Sequence, residues 1–197
     1  MQKKNILSVS NWPNLVIIIG GLLMAVLWLL FTKLHGPTSF NRDGHWLGGD
    51  PLFWGMMMSA PASILISLGL VGHYRLLAGD VNRMARIGFV LTIIGLVIPA
   101  LVDFATISLG PPLLLPLLAI GLIMLGSAHR EPGNLSQIGQ RILLFLGILL
   151  AVAFLSFFIP TDVLDQYNGY RIYGILVNFL FGVGWVVFGA SHKNETI

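Results

Sequence analysis

The sequence predicts an all-α membrane protein: six transmembrane helices forming three consecutive helical hairpins, with both termini cytoplasmic. Three observations predict it. Hydrophobic residues make up 56% of the chain and charged ones only 10%, too few polar groups to cover a water-soluble surface. The apolar residues fall into runs near the ~20 residues a helix needs to cross a bilayer, where the backbone must satisfy its own hydrogen bonds. Finally, a hairpin unit recurs, closed each time by a similar tail: Leu68-Gly69-Leu70-Val71-Gly72-His73, Leu125-Gly126-Ser127-Ala128-His129 and Phe188-Gly189-Ala190-Ser191-His192. Arg75, Arg130 and Lys193 follow closely. The alternating pattern of an outer-membrane barrel strand is absent.

The first helix is expected at about 14–34, behind Lys3 and Lys4. Its apolar run from Leu15 to Phe31 exceeds a signal-peptide core and no small-x-small site follows, so it reads as a retained span. Trp12-Pro13 suits its entry, with the indole at headgroup depth and proline tolerated in a first helical turn. The second, about 54–74, contains Pro61 and sets Ser59, Ser63 and Ser67 four apart on one face. The third, about 86–109, opens with Arg86-Ile87-Gly88-Phe89 and carries Pro99 and Asp103; each internal proline should bend its helix. The fourth, about 112–129, runs into the second tail. The fifth, about 140–160, opens with Arg141-Ile142-Leu143-Leu144 and ends on Pro160, with Asp162 just beyond. The sixth, about 170–190, sets Asn178, Gly182 and Gly189 on roughly one face. The connections are mostly short, so residues 1–197 read as a single integral membrane domain.

Orientation follows from the basic residues. With the amino terminus inside, that side carries Lys3, Lys4, Arg75, Arg83, Arg86, Arg130, Arg141 and Lys193, against Lys33, Arg42 and Arg171 outside. Such a bias in short loops places the richer side in the cytoplasm, and the membrane is expected to be the plasma (inner) membrane. The net charge of +3 is thus a topology signal, and no basic, aromatic-interleaved face for nucleic acid is present. Every hairpin leaves from and returns to the same side. A true repeat would therefore be a parallel threefold one, to which the inverted-repeat logic of alternating access does not apply; the alternative is that apolar helices with basic ends look alike by composition alone.

Few polar groups stand out as candidates for chemistry. Small faces let helix backbones approach in lipid, which is the preferred reading of Ser59, Ser63 and Ser67; a hydroxyl-lined solute path is the sharper alternative. Asn178 is expected to face the bundle and bond another helix. Asp103, counted at ~1.5 Å per residue from Arg86, should lie near the outer headgroups, hydrated or paired with Arg171; proton or cation handling is the alternative. His73, His129 and His192 occupy equivalent helix ends, where a cation complements the helix dipole, and a solvated, interfacial set is expected. A metal or haem held by them is the less favoured reading, and no cofactor is expected. The longest polar connection, His35 to Phe53, offers His35, Asp43, His45 and Asp50 as binding candidates. Their spacing matches no metal motif; Trp46 and Trp54 suggest a loop lying against the membrane surface, and a loop that caps the bundle is preferred to an outward-facing binding site.

Zinc-protease, nucleophile-elbow and phosphate-loop motifs are missing, and absence of cysteine rules out disulfides and thiol chemistry. The expectation is a non-catalytic membrane subunit or scaffold whose partners are the lipid bilayer and other membrane proteins. A carrier or channel for a small or lipid-like solute is the alternative, and a haem- or metal-binding membrane protein the second.

Overall fold

In an apolar run the backbone has no solvent to bond, so helix ends fall where a cap or a proline can deal with the orphaned groups. A computed structural model describes residues 11–35, 46–49, 51–75, 77, 82–106, 114–128, 135–156, 158–160, 163 and 174–191, with the backbone alone for 31–35, 51 and 52. All six predicted runs contain a helix. They are α1 (Trp12–His35), α2 (Pro51–Gly72), α3 (Arg83–Thr106), α4 (Leu115–Ala128), α5 (Gln137–Ser156) and α6 (Phe181–Ser191), the last continuing a π-helical turn over Ile175–Leu180.

Local chemistry explains where these ends depart from expectation. α2 begins at Pro51, a position where proline's missing N–H would have had no helical partner anyway. α3 begins at Arg83 because Asn82 Oδ1 accepts from the Ala85 amide at 3.1 Å, and α5 at Gln137 because Ser136 Oγ accepts from the Gly139 amide at 3.0 Å. Both are N-caps whose polar side chain, rather than hydrophobicity, fixes the first turn. α5 stops at Ser156: Phe158 and Ile159 bond back three residues to Leu155 and Ser156, and Pro160 brings no donor to continue.

Four helices are long and apolar enough to cross a membrane: α1, α2, α3 and α5. The 14 helical residues of α4 reach about 21 Å at ~1.5 Å each, short of a ~30 Å hydrocarbon core. The π turn and α6 together form the second shorter apolar helix, Ile175–Ser191.

Each helix packs on its neighbours in the chain, and α6 returns to pack on α1, closing a ring of six. The three hairpins are not packed alike, since α5 contacts α4 more extensively than it contacts α6. Glycines set the closest approaches. A Cβ on Gly21 would meet the Gly182 carbonyl oxygen at 2.6 Å, and one on Gly182 would meet the Gly21 oxygen at 2.5 Å. Gly88 and Gly121 repeat this between α3 and α4, at 2.8 and 2.9 Å. Lipid supplies no hydrophobic drive for association, so such backbone contact, with Cα–H groups turned toward opposing carbonyls, is what holds the seams.

The interior is filled by Ile17, Ile66, Leu122, Leu146, Trp185 and Phe188, all fully buried. The exterior is equally apolar. Leu15, Ile19, Leu22, Val26 and Leu29 of α1 and Phe145, Ile148, Val152 and Leu155 of α5 are exposed at three- and four-residue spacing. Each stripe runs along one helix face, and together they form an apolar exterior far beyond what a soluble monomer tolerates.

Candidate functional site

One end of the ring is rich in arginine. Consecutive helices are antiparallel, as when Gly72 and Gly69 of α2 lie against Pro13 and Ile17 of α1 while Gly20 lies against Ala62 and Ile66. The end where α2 finishes and α3 and α5 begin carries Arg75, Arg83, Arg86 and Arg141, all exposed. Here His73 Nε2 lies 2.7 Å from Asn14 Oδ1. The amide oxygen only accepts, so the imidazole donates from Nε2 and ties the end of α2 to the start of α1. This inter-helix bond replaces the expected solvated imidazole at His73, whose half-buried position follows from the close approach of Gly69 and Gly72 to α1. His129 and His192 lie outside the described residues.

Ser63 and Ser67 are buried and Ser59 half-buried. The Ser67 hydroxyl donates to the Ser63 carbonyl at 2.7 Å, and Thr92 of α3 donates to the Gly88 carbonyl at 2.8 Å. A hydroxyl bonded to its own helix is satisfied without a partner across the interface, so Ser67 and Thr92 add small surface with no outstanding polar demand.

Asp103 differs from its expected setting. Counted along the helix it lies near the C-terminal end of α3, yet it is only 4% exposed and, among the described residues, its Oδ1 has no hydrogen-bond partner. Rotation about the helix axis, not depth, decides this. Asp103 falls on the buried stripe Ala85, Gly88, Phe89, Thr92, Leu96 and Ala100, so it is turned into the bundle instead of toward hydrated headgroups. α2 and α4, which pack on α3, carry no ionisable residue between Pro51 and Gly72 or between Leu115 and Ala128. Arg171 lies outside the described residues.

Asn178 sits half-buried within the π turn, and among the described residues its amide makes no hydrogen bond to another helix. Its carbonyl instead accepts the Phe181 amide where the π turn passes into α6. Gly182 and Gly189 do share a face, both against α1.

In the long connection, His35 closes α1 and does not open the loop; Asp43, His45 and Asp50 lie outside the described residues. Trp46–Gly49 forms a tight turn, with Trp46 N–H donating to the Gly49 carbonyl and Gly49 N–H to the Trp46 carbonyl, both at 3.0 Å. Leu47 (φ 48°) and Gly48 (φ 78°) are both left-handed, the pattern of a type I′ turn. Leucine there is strained by about 1–2 kcal/mol. Trp54 Nε1 donates to the Trp46 carbonyl at 2.9 Å, and the two indole rings stand 5.0 Å apart.

Two features were missed in the sequence. Trp185 is fully buried with Nε1 unpartnered, edge-on to Phe181 and Phe188 with ring centroids 5.7 and 5.6 Å away; the i, i+4, i+7 aromatic spacing was the available signal. Asn14, the partner of His73, carries none, because its role exists only once α1 and α2 pair. Among the described residues no three of His, Cys, Asp and Glu lie close enough to hold a metal ion. No protein-family model matches the chain, and comparison with curated proteins and with solved structures gives no match.

Proposed function

We propose that the protein is a non-catalytic six-span bundle of the cell membrane that serves as a subunit or scaffold for other membrane proteins. The arginine-bearing end and both termini face the cytoplasm, and the repeated tails mark that boundary three times. One observation carries the reading: the ring is closed inside by apolar side chains and glycine contacts, while its outer faces present apolar stripes to lipid or to partner helices. The test is purification from the native membrane in mild detergent followed by mass spectrometry. The expected result is one or more membrane proteins in fixed stoichiometry. A lone chain that supports solute flux in proteoliposomes overturns it.

A second reading, a carrier for a small solute, is favoured by the buried Asp103, whose Oδ1 has no hydrogen-bond partner among the described residues, since an acid inside a span marks substrate and ion pathways in other membrane proteins. It requires flux above empty vesicles, lost in Asp103→Asn. A haem or metal reading is weakened at His73, whose Nε2 is engaged by Asn14; a spectrum without a Soret band removes its haem version.

A further inference from the structure

We propose that the Trp46–Gly49 turn is a membrane-interface wedge, which lays Leu47 into the acyl–headgroup boundary of the leaflet on its side of the bundle. Placement comes first. The 22 residues of α2 extend about 33 Å at ~1.5 Å each, close to the ~30 Å of the hydrocarbon core, so a turn ending two residues before Pro51 sits at the edge of that core.

The chemistry of the turn bounds its depth from both sides. Leu47 is 77% exposed at the tip, flanked by the partly exposed rings of Trp46 and Phe53, and Phe53 begins the lipid-facing side of α2 that continues at Met57. This apolar tip is therefore continuous with the outer surface of the helix and gains from leaving water. The backbone N–H and C=O groups of Trp46 and Gly49 are consumed within the turn, and the Trp54 indole N–H is bound to the Trp46 carbonyl. The peptide groups of Leu47 and Gly48 are not part of that exchange. They need water or headgroup partners, which excludes the hydrocarbon centre. Paired indoles favour the same zone. Gly49 holds the arrangement, because a Cβ there would meet the Phe53 ring at 2.5 Å and Trp54 Nε1 at 2.7 Å.

The wedge rests on the membrane-spanning reading, and the experiment separates the two. The chain has no cysteine, so single variants Leu47→Cys, Leu22→Cys and Gln137→Cys can each carry a nitroxide in phosphatidylcholine–phosphatidylglycerol nanodiscs. Leu22 is exposed midway along α1 and Gln137 exposed at the start of α5. Collision with oxygen and with a water-soluble nickel chelate then reports depth. The expected order of nickel access is Gln137 highest, Leu47 several-fold lower and Leu22 lowest, with oxygen access in the reverse order. Nickel access at Leu47 equal to that at Gln137, with Leu22 protected, overturns the wedge and leaves the span intact. Protection of Leu47 from both reagents means that protein covers it and also overturns the wedge. Nickel access at Leu22 overturns both readings.

Discussion

Gly21 of α1 and Gly182 of α6 face one another so closely that a Cβ on either would stand 2.5–2.6 Å from the other's carbonyl oxygen. This pair joins the first helix to the last and so closes the ring. Neither carbonyl can retreat without moving a helix. Gly21→Val or Gly182→Val should therefore destabilise the fold by about 1–3 kcal/mol, the range for forced overpacking. Leu15→Ala, on the exposed face of the same helix, should change it by about 0.5 kcal/mol or less. Unfolding midpoints in detergent, followed by circular dichroism, check the contrast; equal losses would show that the glycine seam is not what holds α1 to α6.

The His73–Asn14 bond at 2.7 Å links residues 59 positions apart and should contribute about 0.5–1.5 kcal/mol. His73→Ala and Asn14→Ala should each lower stability by about that amount, and the double variant by no more than the larger single loss plus a few tenths. A double-mutant cycle measures the coupling directly. Additive losses would mean that the two side chains act apart.

The existence and order of the helices were legible because apolar run length is a one-dimensional property of the chain. Their starts were less so: the onset of α3 and α5 was expected three residues late, since Asn82 and Ser136 act through a side-chain bond that hydropathy does not register. Four-residue spacing puts Ser59, Ser63 and Ser67 on one face of α2 but does not register the return of the Ser67 hydroxyl to its own helix. For Asp103, counting residues gave depth and missed rotation. Asn14 and Trp185 were invisible as functional candidates, because their settings depend on which helices become neighbours in the ring.

Ser67 tests whether the α2 face serves packing or passage. Its hydroxyl is satisfied by the Ser63 carbonyl, so Ser67→Ala should be close to neutral, within about 0.5 kcal/mol, while Ser67→Leu should lose about 1–3 kcal/mol by overpacking a buried position. Thermal midpoints of the two variants give the comparison. If Ser67→Ala, with stability unchanged, also reduced solute flux in proteoliposomes, the face would line a path.

Asp103 separates the two functional readings most sharply, because they place stability and activity in opposite relation. A buried polar group without a partner costs about 1–3 kcal/mol, and Asp103 Oδ1 is such a group. Asp103→Leu keeps the number and branching of side-chain heavy atoms and removes that cost, but its methyls are bulkier than the carboxylate oxygens. The smaller Asp103→Val is therefore the cleaner variant, and its midpoint of unfolding should rise by an amount worth up to about 1–3 kcal/mol. In a scaffold this gain comes free: partners should still co-purify with Asp103→Val in unchanged stoichiometry. In a carrier the same variant should be more stable and inactive, since the destabilising group would be the one that binds. A fall in stability in Asp103→Val as well as in Asp103→Leu would contradict both, for overpacking is small in the first and the loss would require that the carboxyl be held by a partner.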